Sequence, residues 1–101
     1  MITADFGIVP IGSKGTDLGK YVSVAVQSIR DSGLKYELTG MGTQIEAENL
    51  EELYMAVKNA QEAVFAIGVD RVYTVLKTDD RRDKKDRCLQ DKVNTVNEMI
   101  K

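Results

Sequence analysis

LKYELTGMGTQIEAE, residues 34 to 48, is the stretch on which the reading of this 101-residue chain turns. Two short strand-like runs, 35 to 39 and 43 to 47, flank Gly40-Met41-Gly42. A glycine on each side of Met41 permits positive φ without steric cost, as tight hairpin loops commonly require, so the chain is expected to reverse here. An isolated two-stranded hairpin is marginal in water. It needs further strands beside it and an apolar layer against it.

Upstream, ITADFGIVPI (residues 2 to 11) alternates Ile2, Ala4, Phe6 and Ile8 with Thr3, Asp5, Gly7 and Val9. This is a period-2 strand with one core face. Pro10 has no N–H to give, so pairing is expected to fade near it. After the loop GSKGT, Thr16 or Asp17 is placed to cap a helix. Leu18, Val22, Ala25 and Ile29 then recur every three or four residues, the stripe of a helix with one buried side. Gly33 stands where a left-handed C-cap belongs.

Downstream, Asn49 can cap the next helix and Glu52 can reach back to it, a capping-box pattern. Leu50, Leu53, Val57, Ala60, Val64 and Ile67 hold the helical rhythm until Gly68. Residues 70 to 78, DRVYTVLKT, read as a last strand, with Val72, Thr74 and Leu76 alternating with Tyr73, Val75 and Lys77. A terminal helix over about 83–101, capped by Asp83, carries the stripe Leu89, Val93, Val96 and Ile100.

The order β-α-β-β-α-β plus a helix predicts an α+β, ferredoxin-like sandwich: one domain over residues 1–101, strand order 4-1-3-2, two helices on one face. The opposite face then holds Val9, Ile11, Tyr73 and Val75, with only the terminal helix to cover part of it. A contiguous apolar patch of that kind marks a subunit interface, so a homo-oligomer is expected.

Composition removes several classes. Hydrophobic residues make up 43% with a single proline, as in a folded chain rather than a disordered one. Net charge is −2, no signal for nucleic acid. Residues 1 to 76 carry 6 basic and 10 acidic side chains, residues 77 to 101 carry 8 and 6, and DDRRDKKDR reads as a solvated mixed-charge run. Cys88 is the only cysteine and there is no histidine, so no intrachain disulfide, no Ser-His-Asp or Cys-His nucleophile and no structural zinc site is expected. With no apolar run of membrane-spanning length and no signal-peptide pattern, a cytoplasmic protein is the expectation.

Four motifs in order suggest a family: Ser32-Gly-Leu-Lys-Tyr-Glu-Leu38, Met41-Gly-Thr-Gln-Ile-Glu46, Arg71-Val-Tyr-Thr74, and Lys77-Thr-Asp-Asp-Arg-Arg-Asp-Lys84. Over nearly its whole length the chain resembles the thiamine-binding protein family. The resemblance implies a ferredoxin-like fold, assembly as dimers and tetramers through the sheets, and binding of thiamine or its hydroxymethylpyrimidine half, without catalysis or cofactor. Gly40 stands where a proline is common in that family and Gln61 where a histidine is common.

An aminopyrimidine offers a flat apolar face, an amino donor and ring-nitrogen acceptors, so its site needs an aromatic or thioether surface and a few polar groups. Tyr36 and Met41 can supply the surface. Thr43 can donate or accept, Glu46 can accept from the amino group, and the backbone at Gly42 is open to close approach. Each also has a plainer role, as turn residue, solvent-facing acid, core ring or interface contact. Arg81, Arg82 and Lys84 form a candidate anion site or ion-pairing interface near a helix start. Cys88 reads as a small apolar residue. An acylphosphatase-like enzyme is disfavoured, since Gly12-Ser-Lys-Gly15 after the first strand holds no arginine. A regulatory or scaffolding module with another small-molecule or protein ligand is the alternative to a thiamine-type binder.

Overall fold

The computed structural model describes residues 1–13, 15 and 18–100. The elements are β1 (Ile2–Ile11), α1 (Gly19–Asp31), β2 (Lys35–Thr39), β3 (Gly42–Ala47), α2 (Leu50–Ala66), β4 (Arg71–Asp80) and α3 (Leu89–Met99). The four strands form one antiparallel sheet in the order β2-β3-β1-β4, the predicted ferredoxin-like topology followed by a C-terminal helix.

Strand alternation decides the core. Ile2, Ala4, Phe6 and Ile8 of β1 face the same side as Thr43, Ile45 and Ala47 of β3, and all are buried. Against them pack Ala25 and Ile29 of α1 and Leu53, Ala56, Ala60 and Val64 of α2. Val72 and Leu76 of β4 and Tyr36 of β2 close the edges of this layer. Burying side chains such as Phe6, Ile29, Ile45 and Leu53 contributes about 1.5–3 kcal/mol each, and this layer is the main source of stability.

The helix punctuation follows the sequence, save that the Glu52 side chain does not reach back to complete the capping box. Asn49 accepts from the N–H of Glu52 at 2.9 Å. Gly33 (φ 82°) and Gly68 (φ 100°) take the left-handed conformation just past the ends of α1 and α2. Thr16 and Asp17, the expected caps of α1, lie outside the described residues, as does Lys14.

Three local expectations are corrected. Gly40 and Gly42 do not take positive φ. Thr39 pairs directly with Gly42, and the Thr39 hydroxyl fastens the turn by donating to Gly42 O (2.9 Å) and accepting from Met41 N–H (3.3 Å). Gly42 is required for space instead: a Cβ there would sit 2.9 Å from Asp5 Oδ1 and 3.2 Å from Phe6 O.

Pairing does not fade at Pro10. Through Pro10↔Val72 and Ile11↔Arg71, β1 stays paired with β4 to its end. It is the β3 side that stops, at Phe6↔Thr43. The Thr39–Gly42 pair closes the hairpin and is hydrogen-bonded. Alternation across the sheet therefore aims the backbone groups of even-numbered β1 residues toward β3. The missing N–H of Pro10 thus falls where no strand remains.

The last helix begins at Leu89, not near Asp83. Cys88 is its N-cap, with its N–H donating to Asp91 Oδ2 at 2.8 Å. Asp83 is engaged by Arg81 instead, through contacts of 2.9 and 2.6 Å.

The helix α3 crosses the outer face of the sheet at one end. There Leu89 N–H donates to Glu46 Oε1 at 2.8 Å and Lys92 pairs with Asp79. Its apolar stripe is not buried: Val93, Val96 and Ile100 remain exposed. On the uncovered part of the same sheet face, Val9, Tyr73 and Val75 are 43%, 57% and 53% exposed. No helix is long and apolar enough to cross a membrane among the described residues.

Candidate functional site

The strand-length mismatch makes a cleft. β1 has ten residues, whereas its hairpin neighbour β3 has six and ends at the turn. Beyond Phe6, no strand pairs with the β3-facing edge of β1 among the described residues. By the alternation above, the N–H and C=O of Ile8 point into that opening. The first turns of α1 roof it and the hairpin tip forms its lip.

The resulting hollow, about 230 Å³, is lined by Phe6, Ile8, Val22, Leu38, Met41 and Thr43, with Gly7, Val9, Leu18, Ala25, Val26, Thr39, Gly40 and Gly42 completing the wall. No charged side chain lines it among the described residues.

Thr43 is the distinctive group here. It is 4% exposed, it faces the helices beside Phe6, and its hydroxyl has no hydrogen-bond partner among the described residues. No side-chain polar atom among the described residues is both sealed from solvent and unpartnered, so the Thr43 hydroxyl meets the cleft itself, where it is open to a hydrogen bond from solvent or from a ligand. Thr39, also on the wall, is by contrast occupied by the turn.

The sequence-predicted residues divide between two faces. Gly42, Thr43 and Met41 meet at the cleft, with Met41 at the rim and 95% exposed. Tyr36 lies on the same face further along β2, in a neighbouring hollow that shares Val22, Val26 and Leu38 with the first. Glu46 lies on the opposite face. It is 6% exposed, accepts from Leu89 N–H and has Lys35 Nζ 3.9 Å away.

Arg81 and Arg82 stand at a broad hollow beside the start of α2, where the Met1 amino group donates to Lys85 O. Lys85 rather than Lys84 joins them there. Both arginines are held by aspartates, Arg81 by Asp83 and Arg82 by Asp80 at 3.0 Å. Hydrogen bonds from Arg81 keep the Asp83 carboxyl well below the usual carboxylate range. Gln61 accepts from the Thr74 hydroxyl at 2.6 Å, tying α2 to β4. Among the described residues no cluster of histidine, cysteine and carboxylate side chains could hold a metal ion.

Residue-type reasoning missed Ile8, whose contribution is backbone, Val22, which reads as part of the buried stripe of α1, and Leu38, which stands only within a family motif. The available signal was length: a ten-residue β1 beside five- and six-residue hairpin arms leaves part of its edge unpaired.

The comparisons with known proteins agree with this fold. A family model for thiamine-binding protein matches residues 4–97. The UPF0045 protein of Methanothermobacter thermautotrophicus is 53% identical over 100 residues, covering 99% of this chain and all of the relative. The UPF0045 protein YqgV of Bacillus subtilis is 39% identical, covering 99% and 98%. Among solved structures, MJ1052 of Methanocaldococcus jannaschii superposes with a TM-score of 0.85 at 36% identity, covering 96% of both chains. A Thermotoga maritima protein assigned to thiamine biosynthesis or salvage superposes with a TM-score of 0.79 at 22% identity, over 94% of this chain and 97% of that one, a likeness of fold.

Proposed function

We propose, from the premise that this chain belongs to the thiamine-binding protein family, that it binds the aminopyrimidine half of thiamine, or free hydroxymethylpyrimidine, without turning it over. It acts as a sensor or carrier. The observation that carries the reading is the unpartnered Thr43 hydroxyl inside an otherwise apolar hollow.

The chemistry of the walls supports it. Phe6, Val22 and Leu38 offer apolar surface to a flat ring, and the Met41 thioether at the rim can fold over its open face. Ile8 presents a backbone donor and acceptor at the strand edge, complementary to a ring nitrogen and an amino group. Thr43 supplies a third polar contact. A hollow of about 230 Å³ is below the usual range for drug-sized ligands and suits one small ring. In this reading Glu46 serves α3 rather than the ligand.

The working form is a homo-oligomer, in which a second copy covers Val9, Tyr73 and Val75 together with the exposed stripe of α3. Tyr73→Glu is expected to shift sedimentation toward the protomer.

The direct test is ligand-linked stability. A specific binder gains about 2.7 kcal/mol at a hundred times its dissociation constant. Hydroxymethylpyrimidine and thiamine should raise the melting temperature of the purified protein in a saturable way. No shift from either at millimolar concentration rejects the proposal.

A further inference from the structure

The hairpin cleft is too small for a two-ring molecule, but it is not isolated. Val22, Val26 and Leu38 also wall the second hollow, about 380 Å³, which runs between α1 and the free edge of β2 and includes Tyr36 and Arg30. Val22, Val26 and Arg30 are four residues apart in sequence and form one row along α1, roughly 12 Å from first to last. β2 runs antiparallel to α1, so Leu38 lies near the Val22 end and Tyr36 near the Arg30 end.

The charge along this row is one-sided. The Arg30 side chain makes no hydrogen bond or ion pair among the described residues, and none of the described residues lining the second hollow is acidic. Its neighbour Asp31 is held by Gln27 Nε2 at 3.0 Å. Passing from the hairpin toward Arg30, a ligand meets a neutral cleft, then an aromatic ring, then one uncompensated cation.

Resting on the proposed ring-binding cleft, we infer that the second hollow receives the remainder of an elongated ligand whose far end is an anionic arm, phosphate or carboxylate, recognised by Arg30. Tyr36 lies alongside the middle of such a ligand, where a positively charged second ring gains from an aromatic neighbour. Guanidinium suits a phosphate or carboxylate terminus because its planar N–H groups match paired oxygens. The shape selected is therefore neutral heterocycle, linking ring, anion, in that order.

Calorimetric titration of the purified full-length protein with thiamine and with thiamine phosphate tests this, in wild type and in Arg30→Gln. The phosphate ester is expected to bind about tenfold more tightly than thiamine at low ionic strength, the size of one charge-assisted contact. The margin should narrow as salt is added. Arg30→Gln should bring the two affinities together, and Arg30→Lys should restore part of the difference. Equal affinities in wild type, or a phosphate preference that survives Arg30→Gln, overturns the inference while leaving the ring site intact. If hydroxymethylpyrimidine, thiamine and thiamine phosphate all fail to bind, the ring site falls and this inference with it.

Discussion

Replacing Glu46 by alanine tests how α3 is held. Glu46 is nearly buried on the outer sheet face, and one carboxylate oxygen accepts the first free N–H of α3 at 2.8 Å. A hydrogen bond to a charged group contributes about 1.5–3 kcal/mol. The Lys35 ammonium at 3.9 Å is 76% exposed and adds at most a few tenths of a kcal/mol. No residue of α3 is buried, so little apolar contact holds the helix once this bond is lost. The expected loss, about 2 kcal/mol, therefore falls on local detachment of α3 rather than on global unfolding. That is roughly thirtyfold in the detached population.

Amide hydrogen exchange resolves the two cases. In Glu46→Ala, amides of residues 89 to 99 should exchange roughly thirtyfold faster while those of α2 near Leu53 and Ala60 keep their wild-type rates. Glu46→Gln retains an acceptor oxygen and should show a smaller acceleration. Unchanged exchange in α3 would refute the reasoning. Equal acceleration of α2 and α3 would also refute it, since Glu46 would then support the whole sheet.

Other expectations follow from the same geometry. Gly42→Ala should cost about 1–3 kcal/mol by urea denaturation, because its Cβ meets Asp5 Oδ1 at 2.9 Å and Phe6 O at 3.2 Å; adding Asp5→Gly should recover the side-chain part only. Thr43→Val should leave the ligand-free protein as stable or slightly more so, since the hydroxyl has no partner to lose. Hydroxymethylpyrimidine affinity should fall about fivefold in that variant, and an unchanged affinity would remove Thr43 from the site. A hydrogen bond from Lys92, reinforced by its charge, holds the Asp79 carboxyl below its ordinary value of 3.8. A carboxyl lowered on folding stabilises above its unfolded pKa and loses that contribution as pH falls through the folded value. The Asp79–Lys92 pair should therefore protect α3 evenly across neutral and mildly acid pH and lose its contribution only below about 3.8; Lys92→Met should make the acid decline in exchange protection smaller.

Most of the fold was legible because burial imposes period. Ile2, Ala4, Phe6 and Ile8 could be nothing but one face of a strand, and Leu53, Ala60 and Val64 one face of a helix. The candidate site was less legible. Hairpin residues do line a hollow, but Thr43 and Glu46 are three apart in a strand, and that odd spacing sends them to opposite faces. The start of α3 was obscured because Asp79, Asp80 and Asp83 all resemble helix caps. In the structure Asp79 pairs with Lys92, Asp80 with Arg82 and Asp83 with Arg81. The turn glycines read as conformational necessities, whereas Gly42 answers to the crowding of Asp5, a contact between neighbouring strands far apart in sequence. The contribution of Ile8 has no side-chain signature, because it comes from a backbone edge that no strand pairs among the described residues.

Because β3 stops short of β1, the size of the hollow is set by arithmetic on strand lengths and hardly at all by any one side chain. Lengthening each arm of the hairpin by two residues would zip the open edge shut, preserving every face assignment while erasing the recess. Shortening the arms would deepen it. Small insertions and deletions at the hairpin tip would thus resize the recess while the hydrophobic layer beneath stays undisturbed.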